Sequence, residues 1–69
     1  MNKMPQTVEE LAKMIAKRDG ISYNEALTAV RDCAAELEIA FMGGSLDEAE
    51  EILKDLLGLE PDYLNIFIF

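Results

Sequence analysis

Apolar residues recur at helical spacing in three runs of this chain, and each run opens on the same local device. Thr7-Val8-Glu9-Glu10, Ser22-Tyr23-Asn24-Glu25 and Ser45-Leu46-Asp47-Glu48 all fit S/T-x-x-E. In that pattern a hydroxyl oxygen accepts from a free N–H of the first turn, while the Glu side chain reaches back towards the cap. The stops agree with the starts: Asp19-Gly20 closes the first run, Gly43-Gly44 the second and Gly58 the third. The pattern predicts helices over about 8–18, 23–42 and 46–57.

Each run has its own face. The first places Val8, Leu11, Ala12 and Ile15 together with Met14 at the margin, and sets Glu9 and Lys13 as an i,i+4 pair outside. The second predicts a stripe of Tyr23, Ala26, Leu27, Val30, Cys33, Ala34, Leu37 and Phe41, whose small members let a neighbouring helix approach. Its opposite face carries Thr28, Ala35, Ile39 and Met42, which is less polar than a solvated face and suggests a second contact surface through Ile39 and Met42. In the third run Leu46, Ala49, Ile52, Leu53, Leu56 and Leu57 share one arc, and acids fill the other, relieved only by Lys54.

Beyond Gly58, Pro61 suits the first position of a short helix. The chain then ends Ile66-Phe67-Ile68-Phe69, a stretch too short for periodicity to decide between a helical turn and an extended segment. Residues 1–6 read as a loose lead-in. The expected fold is all-α: one domain over 1–69, a three-helix bundle with a short fourth C-terminal element, and the second helix at its centre.

Length sharpens the question of what the C-terminus does. At 69 residues a single core is marginal, so added apolar area is valuable wherever it comes from. Ile66, Phe67, Ile68 and Phe69 could fold back as a lid on the core, or stand out as an anchor for a partner or a second copy. A protein partner, in the first instance the chain itself as a homodimer, is the expected one.

Charge excludes more than it identifies. The net charge is −8 and unevenly spread. Residues 1–20 carry four cations against three acids, whereas residues 21–69 carry only Arg31 and Lys54 against eleven acids. Such a field repels phosphates, so direct nucleic-acid binding is not expected; only Lys13, Lys17 and Arg18 offer a basic surface. The acidic arc formed by Asp47, Glu48, Glu51 and Asp55, with Asp32 and Glu36 of the second helix, could imitate a row of phosphates and occupy a nucleic-acid-binding protein such as a nuclease. A solvated acidic face is the simpler account of the same residues.

Catalytic equipment is not visible. There is no histidine, and Cys33 falls on the apolar stripe with nothing to activate it. Ser22 and Ser45 are accounted for as caps. Asp47, Glu51 and Asp55 follow one another at i, i+4 and i+8, but no calcium-wrapping loop accompanies them. No enzyme activity, cofactor or metal is therefore expected. A lone cysteine, the lack of a signal peptide pattern and the lack of a long apolar run point to the cytoplasm and away from the membrane.

Asp47-Glu48-Ala49-Glu50-Glu51-Ile52-Leu53, running into Leu56-Leu57-Gly58-Leu59-Glu60-Pro61-Asp62-Tyr63-Leu64, resembles the C-terminal half of short acidic proteins encoded by phages and integrative elements of Gram-positive gut bacteria. The stretch Gly20-Ile21-Ser22-Tyr23-Asn24-Glu25-Ala26-Leu27 is similar in style. The resemblance implies an origin on a mobile genetic element. It transfers no activity and no site, since none is known for the group. Small acidic proteins of such elements include inhibitors of host defence, which adds weight to the phosphate-mimic reading.

Overall fold

The computed structural model describes residues 4–67. It contains α1 (Val8–Asp19), α2 (Tyr23–Met42), α3 (Leu46–Leu57) and a 3₁₀ helix (Pro61–Ile66), with no strand among the described residues. All three α-helices begin as the sequence predicts: the hydroxyls of Thr7, Ser22 and Ser45 accept from the N–H groups of Glu10, Glu25 and Glu48 at 3.1–3.2 Å. The carboxylate half of the device varies. Glu10 reaches one residue further back, to the N–H of Gln6, and the Glu25 carboxylate accepts a hydrogen bond from the Ser22 hydroxyl. Gly20 and Gly58 close α1 and α3 at φ of 69° and 65°, the left-handed conformation that a side chain resists.

The short turns make α2 antiparallel to both neighbours, and α1 and α3 each pack chiefly on it. Its buried ridge is Ala26, Val30, Cys33, Leu37 and Ala40. These positions alternate steps of four and three, the spacing that keeps one seam in register with a neighbouring helix. Leu11, Ala12 and Ile15 of α1 meet it, as do Ala49, Leu53 and Leu57 of α3, in one continuous core.

Three expectations shift. Ala40, which the wheel leaves out, is in the core, while Tyr23 at the first turn is partly exposed. Leu46 and Leu56 of the α3 arc are 56% and 54% exposed. Leu46 is the first helical residue, and side chains lean towards the helix N-terminus, so it points past the turn and not into the bundle. Leu56 lies at the edge of an arc wider than the single helix it packs on. Residues Pro61–Ile66 form the 3₁₀ helix, and Leu59, Leu64, Ile66 and Phe67 are all buried in the common core.

This burial separates core from surface by mutation. Phe67 is 4% exposed, and Phe67→Ala should cost about 3 kcal/mol by chemical denaturation, as for a buried aromatic. Leu56→Ala, on the exposed edge of α3, should cost less than about 1 kcal/mol. Equal losses in the two variants would contradict this placement of the tail.

Candidate functional site

The residues singled out for partner binding separate into two environments. Ile66 and Phe67 are covered by the chain itself, which removes them from any exposed anchor. Ile68 and Phe69 lie outside the described residues. Ile39 and Met42, by contrast, are 66% and 82% exposed. Leu46 joins them just across the turn in which the N–H of Gly43 bonds to the carbonyl of Ile39 and that of Gly44 to Phe41. Three large apolar side chains thus crowd one solvent-facing turn.

Two shallow grooves flank the outer side of α2, and Ala35 borders both. The larger, of about 680 Å³, has Phe41, Leu46 and Phe67 as its apolar floor and Arg31 and Glu38 at its margin. The smaller, of about 560 Å³, runs between α2 and α3 over Ile52 and Leu56. It brings Asp55 of α3 beside two carboxylates one turn apart on α2, Asp32 and Glu36. Asp47, Glu48 and Glu51 are exposed on α3 as well. No group of three acidic, cysteine or histidine residues stands close enough to hold a metal ion among the described residues.

One basic residue has a task that the sequence did not disclose. Arg18, at the end of α1, donates from Nη2 to the carbonyl oxygen of Leu57 at 2.8 Å, across 39 positions. The same guanidinium grips Asp19 through Nε and Nη2 at 2.8 and 3.1 Å. That hydrogen-bonded contact holds the Asp19 carboxyl below its usual pKa and pushes Arg18 higher. Arg18 is thereby engaged within the fold, leaving Lys13 and Lys17 as what remains of the basic surface read from the sequence.

Cys33 is fully buried on the α2 ridge. Burial pushes its thiol up to about 11, and the charge of Glu36 acts in the same direction. It is therefore a protonated packing group at neutral pH and a poor nucleophile. Among the described residues no helix is long and apolar enough to cross a membrane.

No protein family, curated protein or solved structure matches the chain in comparison.

The raised thiol has a consequence for stability. In the unfolded chain Cys33 ionises near 9.0, but in the fold it keeps its proton to about 11. The stability this contributes is whole below pH 9 and is lost as pH rises towards 11. Unfolding free energies of the intact chain and of Cys33→Ala, measured across that window, should converge as pH rises. Parallel pH profiles would show that the thiol does not titrate differently in the two states.

Proposed function

We propose that this chain is a non-catalytic protein-interaction module that associates with a second copy of itself. The observation that carries the reading is the cluster of Ile39, Met42 and Leu46 around the α2–α3 turn, beside the apolar floor formed by Phe41 and Phe67. Single exposed apolar residues are ordinary, but three at one turn next to a groove form the kind of surface that partners cover. The size of the chain favours the same reading. A second copy adds core area that 69 residues supply sparingly. Cys33 is buried and protonated, and histidine is absent, so catalysis has no evident base or nucleophile.

Solution mass by light scattering over a wide concentration range tests this reading. The mass should rise from that of one chain to that of two. Met42→Ser combined with Leu46→Ser should raise the dissociation constant by about tenfold while leaving the helical content intact. A mass that stays at one chain throughout the range refutes self-association.

A second reading is favoured by the gathering of Asp32, Glu36 and Asp55 on one groove, next to the further acids of α3. Here the chain is an acidic inhibitor whose carboxylates stand in for phosphates and block a basic nucleic-acid-binding protein, such as a host-defence nuclease. An origin on a phage or integrative element, as the resemblance implies, suits that role. Binding of this kind weakens steeply with salt. Replacing Glu48, Glu51 and Asp55 by lysine should abolish inhibition of such a nuclease, and inhibition that survives the replacement would exclude the mimic.

A further inference from the structure

The outward stripe of α2 is nearly self-complementary when read in the two directions. From the start of the helix it runs Leu27/Thr28, Arg31, Ala34/Ala35, Glu38, Phe41/Met42. Arg31 and Glu38 stand two turns apart on the same face, about 10 Å along the axis, with the alanine pair midway between them. That separation is too long for the two to pair with each other. Neither has an opposite charge three or four residues away, where a helix would place an ordinary surface partner. The sole salt bridge among the described residues joins Arg18 to Asp19, so Arg31 and Glu38 are both unpaired there. Yet Arg31 is one of only two cations in residues 21–69, and both it and Glu38 border the apolar groove.

We infer that a second copy of this chain seats on this face, with the two α2 helices antiparallel about a twofold axis passing between Ala34 and Ala35. The inference rests on the self-association proposed above and specifies its geometry. In a twofold contact, residue i of one copy meets residue j of the other and the reverse also holds. An axis at the alanine pair sets Arg31 of each copy against Glu38 of its partner, giving two equivalent ion pairs. The alanines at the crossing allow the close interaxial distances, about 8 Å, that small side chains permit. Phe41 and Met42 of one copy then cover Leu27 and Thr28 of the other, and Leu46 extends the apolar contact beyond the helix end. A parallel arrangement would oppose Arg31 to Arg31 and Glu38 to Glu38. In a chain of net charge −8, whose copies repel at a distance, the two pairs select the antiparallel register.

Charge reversal tests the pairing, because both positions are exposed and lie away from the core. In sedimentation equilibrium, Arg31→Glu and Glu38→Arg should each raise the dissociation constant by about tenfold or more. The doubly reversed chain should return to within about threefold of the original, since the two charges exchange places and still meet. An equimolar mixture of the two single variants should form the mixed dimer in preference to either homodimer. Circular dichroism of each variant establishes that it remains folded. A double variant no tighter than the weaker single, or single variants that associate like the original, overturns the geometry. If Met42→Ser with Leu46→Ser still weakens the dimer in that event, self-association stands and only this register fails. An original chain that remains monomeric overturns both and leaves the groove to a different protein.

Discussion

Everything in this fold is built against one narrow ridge on α2. Ala26, Val30, Cys33, Leu37 and Ala40 are its only fully covered side chains among the described residues, and three of the five are small. Small side chains let α1 and α3 come close, but they also limit how much of α2's circumference those neighbours can cover. Buried area is scarce at this chain length, so the core depends on closeness more than on bulk. The same narrowness leaves the far side of α2 open, with Ala35, Ile39 and Met42 facing outward.

Helix lengths explain the role of the tail. α2 has 20 residues and spans about 30 Å, whereas α1 and α3 have 12 each and span about 18 Å. Short turns tether α1 to the N-terminal end of α2 and α3 to its C-terminal end, so neither 12-residue helix covers its full length. Ile66 and Phe67 return along the bundle to the part of α2 that α1 leaves short: Ile66 borders Met4–Gln6, and Phe67 shares a groove with Phe41. The up-down-up course also brings the C-termini of α1 and α3 to one end, where their carbonyl dipoles repel. Arg18 sits in the last turn of α1 and donates to Leu57 at the end of α3, which sets a cation where two negative ends converge.

What was legible in the sequence follows the range of each interaction. Caps act over three residues, so all three helix starts could be read from S/T-x-x-E, and the glycine stops marked the ends to within about one residue. Faces were legible less completely. A helical wheel assigns an arc without knowing how wide the neighbour is, and Leu46 and Leu56 fell inside the arc but outside the contact. Ala40 was missed for the opposite reason, because an alanine carries little hydrophobic signal and its burial comes from the four-three spacing of the ridge. Arg18 and the inward turn of Ile66 and Phe67 depend on contacts between distant parts of the chain, which neither periodicity nor capping encodes. For the candidate site, the exposure of Ile39 and Met42 was readable from a polar face with too few polar residues. The groove that gathers Asp32, Glu36 and Asp55 needed the α2–α3 packing itself.

Placing the two grooves on either flank of Ala35 has a consequence for selectivity. One is floored by aromatic and aliphatic side chains with one charge of each sign at its margin; the other carries three carboxylates and no cation. A partner covering the first comes within a helix width of the second and meets its field. Apolar area supplies attraction with little regard to identity, so on the proposed reading the neighbouring carboxylates would be the discriminating element. They repel acidic surfaces unless those present compensating cations in register, and they reward basic ones. A second copy of this chain is itself acidic, and in the proposed register its approach rests on Arg31 of each copy meeting Glu38 of the other. The rarity of cations beyond residue 20 therefore makes the position of Arg31 informative: on so acidic a helix, one arginine with no ion pair among the described residues, set beside an apolar groove, restricts which surfaces can close over it.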